Sequence, residues 1–585
     1  MRARVVGVGI LVLILAILAT VFVPRARRAA AEGEALELAL GVDNRALARL
    51  GAPALARICS VWGFVKYHHP AAARGRVDMD VEFVRLLARA SAPETPPVNE
   101  VLAQWIDGLG PLRSHARSPA TSADPHLAPD IGWIHDRAVL GEPLAARLEQ
   151  VHAARASGRH HYIGFSFGVG KPEFRNEHAF ETRDAPPPAL RLLGLARFWN
   201  MIAYYFPYRD LIDEDWPSVL EAFTPEFLSA ATRPDYERTL VRLLACAHDT
   251  HCNLWGHLAN TPPTGACDVD VSLRFVERRL VVDAVGDTSR GGLEVGDEVL
   301  ALDGVPVDSL VPRWSPYYPA SNEAARLRDV AARFLHGPCA AARVLVDRDG
   351  RQLALTVSRA ALGRRPERWH FDRGAAPLQR LSPDVAYLSL AHVRKSDVGR
   401  YLDRAKGTKG MVIDLRNYPS DFLVFSLGSH LVRRATPFAR FTRATPGSPG
   451  AFEWTAPVHL NATLSSYAGR IVILVDETTQ SSAEYHALAF RAVPGAIVVG
   501  STTAGADGNI STIPLPGGLR TCISGIGVFR PDRRPTQRVG IVPDIEARPT
   551  VAGIRAGRDE VLERGLRELV GADAARRIVE ARATH

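Results

Sequence analysis

Lysine is nearly absent from this chain: of its 71 basic residues, five are lysine, at 66, 171, 395, 406 and 409, and none follows Lys409. The other basic residues are arginines scattered along the chain. The formal net charge of +8 therefore comes without a Lys/Arg stripe interleaved with aromatics, and nucleic-acid binding is excluded as a function class. Cysteine is scarce too, with six residues (Cys59, Cys246, Cys252, Cys267, Cys339 and Cys522). They form no CxxC pair, and no HExxH occurs, so no metal site is expected. Many disulfide pairings stay open, and the sequence assigns none. Low-complexity tracts are missing as well. At 585 residues, with 46% hydrophobic and 23% charged residues, the chain reads as several globular domains with real cores.

One apolar run is long. Val5 to Val23, in "MRARVVGVGILVLILAILATVFVPRARR", is uninterrupted and has the length of a membrane-crossing helix. It exceeds the h-region of an ordinary signal peptide. Residues 1–24 are expected to be an uncleaved signal-anchor that exports the bulk of the chain to the periplasm or cell exterior. Cleavage near Ala29 to Ala31, giving a secreted protein, is the alternative. Export would permit disulfides.

The first half repeats itself. "VWGFVKYHHP" (61–70) and "FWNMIAYYFP" (198–207) share Trp-x4-Tyr-x2-Pro, and each precedes an acidic turn, "VDMD" or "IDED". Helical periodicity resumes after both turns. Two helical modules are expected, 46–112 and 186–262, with the shared aromatics packing helices together. The Pro-, His- and Gly-rich stretch between them, 113–185, reads as an irregular connector. From about 266 short strands begin. "VSLRFVERRLVVDAV" alternates like a hairpin, and Asp349-Gly350 signals another hairpin turn. After 380 apolar strands alternate with helices ("VAYLSLAHV", "GMVIDLR", "RIVILVD", "AIVVGSTT"), the pattern of an α/β layer with a mixed sheet.

Within "IVILVDETTQSSAEYHALAF" (471–490), two serines stand where strand becomes helix. Ser481-x-x-Glu484 fits a capping box, a structural role. A serine there also has orphan N–H groups and a favourable dipole beside it, which suits a nucleophile whose attack creates an oxyanion.

Taken in order, several stretches resemble serine peptidases of family S41, the group of C-terminal processing peptidases and tricorn-like proteases. "LLACAHDTHCNL" resembles the histidine-bearing helix end of the tricorn-like branch. "GGLEVGDEVLALDGVPV" resembles a PDZ domain of the bacterial protease type. "GMVIDLRNYPSD", "TTQSSAEYHALAF", "VVGSTTAGADG" and "QRVGIVPDIEARPT" resemble the strand, nucleophile turn and two later strands of the peptidase core. The resemblance spans roughly 190 to 570. It implies a multidomain α+β protein: N-terminal helical repeats, a PDZ-like β domain at 266–361, and an α/β S41 peptidase core with a crotonase-like mixed sheet and a C-terminal helix at 375–572.

The resemblance also implies roles. Ser481, three residues before Glu484, is the expected nucleophile. The backbone N–H groups of Ser482 and Ser420 are expected to hold the oxyanion, although the family's Gly-Gly is Ser420-Asp421 here. Processing peptidases take the serine proton with a lysine, but Ala506 stands in that position, so a serine/lysine dyad is excluded. The tricorn-like branch uses a histidine, matched by His251, with His248 and His486 as runners-up. Gln537 or Thr250 would orient its ring. Asp414 and Arg416 are expected to be a buried structural pair. No cofactor is implied. The implied function is hydrolysis of protein or peptide substrates, whose C-termini the PDZ-like domain would bind. The alternatives are a catalytically decayed binding protein on the same fold, or a scaffold working through its PDZ-like domain.

Overall fold

The computed structural model describes residues 23–112, 124–155, 158–255, 260–286, 291–361 and 376–583. Residues 5–22 of the expected membrane anchor lie outside them. Among the described residues no helix is long and apolar enough to cross a membrane.

The N-terminal region is helical: α1 (Val23–Leu40), α2 (Ala52–His68), α3 (Met79–Ala90), α4 (Arg137–Ala153), α5 (Pro188–Tyr205), α6 (Trp216–Ser229) and α7 (Arg233–Ala245). The duplicated tryptophans do the same work in both modules. Trp62 on α2 donates its indole N–H to the Met79 carbonyl at the start of α3, at 2.6 Å. Trp199 on α5 donates to the Trp216 carbonyl at the start of α6, at 2.7 Å. The acidic turns cap the second helix of each pair, Asp78 at α3 and Asp215 at α6. α5 is buried almost all round, as a helix enclosed by others must be. Its Arg197 is fully buried against Asp80 (2.8 Å) and Glu177 (2.9 Å), and Lys66 of α2 joins Glu177 at 2.8 Å. Charges survive at such depth only when paired.

The segment 113–185 is more ordered than its composition suggests, and the expected irregular connector is corrected here. It contains α4 and short strands at 125–127, 163–165 and 172–174. Leu140, Leu144, Leu148 and Val151 of α4 are buried at helical spacing. Pro143 and the kink at Gly141 (φ 70°) obscure that period in the sequence.

The next region is built on one antiparallel sheet. It holds β1 (Val271–Val276), β2 (Arg279–Val285) and β3 (Glu298–Leu302), then, beyond the helix α8 (Glu323–Arg333), β4 (Ala341–Arg348) and β5 (Arg351–Ser358). Their order is β5-β4-β3-β2-β1, which leaves β1 at an edge with α8 beside it. Both expected hairpins form. Their two-residue turns have positive φ throughout, at Glu277 (51°) and Arg278 (65°), and at Asp349 (53°) and Gly350 (80°), as the primed turns of tight hairpins require. A disulfide, Cys267–Cys339, ties the strand that enters this region to the loop after α8.

The last region carries β6 (Leu378–Ser382), β7 (Val385–Ser389), β8 (Gly410–Asp414), β9 (Thr436–Ala444), β10 (Arg470–Val475), α9 (Ser482–Phe490), β11 (Ile497–Gly500), β12 (Ile510–Leu515), β13 (Leu519–Ser524), β14 (Gly527–Phe529), β15 (Ile545–Glu546) and α10 (Glu560–Val570). A six-stranded sheet runs β6-β7-β8-β10-β11-β15, parallel except for β6. Parallel strands covered on both faces read as continuous apolar runs, which is why "GMVID" and "RIVILV" lack alternation. Met411, Ile413, Ile471 and Ile473 pack toward α9, whereas Val412, Val472 and Leu474 pack toward α10. Asp414 and Arg416 are buried and paired at 2.6 Å. Arg416 also binds Asp559 at the start of α10 (2.8 Å), so the pair clamps that helix to the end of β8.

Candidate active site

Strand β10 ends at Val475, and the chain turns before entering α9. Ligand sites in α/β sheets form at such carboxyl ends. The turn is tied down by side chains. Thr478 donates to the Arg416 carbonyl and to Asp476 (both 2.6 Å), and Thr479 donates to the Leu415 carbonyl (2.9 Å). The turn ends on Ser481, which has φ 56° and ψ −120°. For a residue with a Cβ this backbone costs about 1–3 kcal/mol and persists only when its surroundings enforce it. Here they do. The Ser481 N–H donates to the Ala506 carbonyl (2.8 Å) and to Glu484 (3.3 Å). Glu484 also accepts the N–H groups of Gly505 (2.8 Å) and Ala506 (2.9 Å) and the hydroxyl of Thr503. Burial pushes the Glu484 carboxyl above its ordinary range, and these donors oppose that push only in part. Glu484 is thus a brace that links the serine turn to the loop that follows β11. The capping-box pair holds Ser481 in a strained conformation at the head of α9.

His251 follows the end of α7 and is mostly buried, 9% exposed. Its Nδ1 lies 2.9 Å from the Ser524 hydroxyl at the end of β13. That hydroxyl donates to Asp249 Oδ1 (3.1 Å), and Asp249 Oδ2 accepts the Ser524 N–H at 2.6 Å. Asp249 Oδ1 also takes the His251 N–H (3.1 Å) and lies 3.4 Å from Nδ1. Since the Ser524 hydroxyl spends its proton on the carboxylate, it is an acceptor toward the ring. Nδ1 therefore carries hydrogen and Nε2 is left as a lone-pair acceptor, the tautomer a general base needs. Asp249 is fully buried. Burial raises its pKa, but the hydrogen bonds from His251 and the Ser524 N–H outweigh this and hold the carboxyl below its ordinary value.

Ser481, Ser482, Ser420 and His251 all line one cavity of about 1800 Å³. The edge strand β1 and the exposed flank of α8 line it as well, through Leu273, Phe275, Leu327 and Ala332 among others. A large cleft with a strained serine and a tautomer-fixed histidine on its wall can support acyl transfer.

Residues 384–547, which carry this serine turn, match the family model "Peptidase family S41". That segment is where the chain is similar to peptidase family S41. Two solved structures of mature CPAF, one in complex with lactacystin, share its fold with TM-scores of 0.51. They are 14% and 13% identical, cover 63% of this chain, and are themselves covered to 95% and 94%. No curated protein matches the chain.

Within this fold the expected residues separate. Ser482 is the first residue of α9, so its N–H has no acceptor inside the helix and stands at the positive end of the dipole. Ser420 differs: its N–H donates to the Leu390 carbonyl at 3.0 Å, so the oxyanion role expected for it is unavailable in this conformation. Gln537 does not bond the His251 ring. Its Nε2 donates to Ser321 (3.3 Å), and Thr250 is tied to the same Ser321 hydroxyl (3.1 Å). Both serve the junction between α7 and α8, and the orienting groups at the ring are Ser524 and Asp249. His486 is spoken for at both nitrogens. It accepts the Leu423 N–H (2.9 Å) and donates to the Ser482 carbonyl (2.5 Å), and burial lowers its pKa to about 4. His248 faces Glu214 (2.7 Å) outside the cleft. Asp249 had a sequence signal in "HDTH", two residues before the histidine. Ser524, 273 residues from His251, had none.

Proposed function

We propose that the chain is a serine-type endopeptidase with Ser481 as nucleophile and His251 as general base. The strained backbone of Ser481 carries this reading, because it sets Ser481, the N-cap on the cleft wall, apart from Ser482, which is already the first residue of α9. The Ser481 hydroxyl oxygen bonds to the peptide carbonyl carbon as its proton passes to His251 Nε2. The new negative charge on the carbonyl oxygen rests against the Ser482 N–H. Collapse breaks the C–N bond, and His251 returns the proton to the leaving amine. Water then cleaves the ester with His251 taking and giving back one proton. His251 and Ser481 make no hydrogen bond to each other here, a looseness common in free enzymes that closes when substrate binds.

The open edge of β1 supports a PDZ-like role for its domain, in which an extended peptide adds a strand and runs on toward Ser481. The Cys267–Cys339 disulfide supports export to an oxidising compartment, with residues 5–23 as the anchor. Labelling with a fluorophosphonate probe tests the enzyme reading: wild type should react and Ser481→Ala should not. Equal labelling of both proteins would refute Ser481 as nucleophile. The committed Ser420 N–H favours a second reading, a binding protein with a silent site on the same fold, which predicts no labelling of either protein.

A further inference from the structure

We propose that Asp507 makes the pocket beside Ser481 a receptor for a cationic side chain, lysine or arginine, of the bound peptide. This rests on the peptidase reading and adds the substrate class. Asp507 directly follows Ala506, whose carbonyl holds the Ser481 N–H, so it stands one residue from the bond that pins the nucleophile. It is only 2% exposed, yet it lines the cleft. Its Oδ1 accepts the N–H of its own neighbour Gly508 (2.6 Å), and its Oδ2 has no partner.

Three other carboxylates on the cleft wall are paired with cations: Glu477 with Arg274 (2.6 Å), Asp329 with Arg328 (2.8 Å) and Asp268 with His336 (3.1 Å). Asp507 faces no such cation among the described residues. Its charged neighbour is Glu484, of the same sign. The cleft wall also carries an aromatic group in which Tyr485 contacts Phe441 and Phe422, with ring centroids 5.9 and 6.0 Å apart, and Ile526 extends the apolar surface. An apolar wall with one unpartnered carboxyl matches a side chain that has an aliphatic stem and a charged head. Burial and Glu484 push the Asp507 carboxyl well above its ordinary range. A lysine ammonium or arginine guanidinium supplies the missing counter-charge. The carboxylate and that cation then form an ion pair.

The test uses internally quenched peptides identical except for one residue: lysine, arginine, glutamine or norleucine. Binding is measured on full-length Ser481→Ala and turnover on wild type. Lysine and arginine peptides should bind Ser481→Ala about tenfold or more tighter than the norleucine peptide. The double variant Ser481→Ala/Asp507→Asn should lose that ratio, and a ratio between peptides does not depend on how much of the variant folds. Equal binding of lysine and norleucine peptides, or a ratio that survives Asp507→Asn, overturns the proposal. Failure of wild type to cut any peptide while the binding ratio holds would sink the peptidase reading and leave the cationic pocket standing.

Discussion

Replacing Asp249 with asparagine should lower kcat/KM by about 10²–10³ without removing the nucleophile. The carboxylate lies 3.4 Å from His251 Nδ1. At an effective dielectric near 20, a unit charge at that distance stabilises an imidazolium by about 5 kcal/mol. The imidazolium carries only part of its charge in the transition state, and an asparagine still offers one acceptor, so about 3–4 kcal/mol of barrier is the reasonable loss. The geometry adds a directional effect. Asparagine can donate to Ser524, which would turn the Ser524 hydroxyl round and favour the wrong ring tautomer. The assay is kcat/KM against pH on a peptide substrate, normalised to sites titrated with fluorophosphonate. The acid limb should move to lower pH in Asp249→Asn, because the protonated ring has lost its anion. Ser524→Ala should show a smaller loss, about 10–100-fold, and Ser524→Thr, which restores a hydroxyl, should recover most of it. A purely structural defect would reduce active sites without moving the limb. If Asp249→Asn keeps wild-type kcat/KM and an unmoved limb while Gln537→Ala abolishes activity, the orienting role of Asp249 and Ser524 is refuted.

Two other perturbations probe the frame that holds the site. Arg197→Ala leaves Asp80 and Glu177 to Lys66, with His178 beside Asp80, and should cost about 3–5 kcal/mol in urea unfolding; a loss below about 1 kcal/mol would contradict the buried network. His486 has a folded pKa of about 4 against an ordinary 6.5, so the folded state binds fewer protons than the unfolded chain between those values. Its contribution is therefore intact above pH 6.5 and lost as pH falls toward 4, by roughly 3 kcal/mol in all. The difference in unfolding free energy between pH 7 and pH 4.5 should shrink by most of that amount in His486→Asn, and an unchanged difference would place the acid sensitivity elsewhere.

Much of the catalytic half was legible because its signals are local. The run from Ile471 to Val475, the Thr-rich turn and the Ser481–Glu484 spacing all lie within a few residues of one another. The missing lysine was readable by inspection, since Ala506 occupies its position and no lysine follows residue 409. The Trp-x4-Tyr-x2-Pro duplication pointed to two helical modules, and each indole reaches a carbonyl seventeen residues on. Segment 113–185 misled because Gly141 and Pro143 break the period of α4, although four apolar side chains keep their helical spacing. The orienter of His251 misled for a different reason. Gln537 was inferred by position within a motif, and a motif says nothing about which side chain a ring nitrogen meets after folding.

By itself the sequence determined the elements and the order of the motifs. Caps, apolar runs, hairpin turns and the order of motifs depend on neighbours in the chain, and those are written in it. Tertiary structure decided the backbone conformation of Ser481, since the strain there is maintained by Ala506 and Glu484. It also decided what faces His251, because Ser524 arrives from a strand 273 residues away. It left Asp507 buried in the cleft wall without a counter-charge among the described residues and committed the Ser420 N–H to Leu390. Each of these outcomes is a contact between distant segments, and only the packed chain selects among the partners such groups could have.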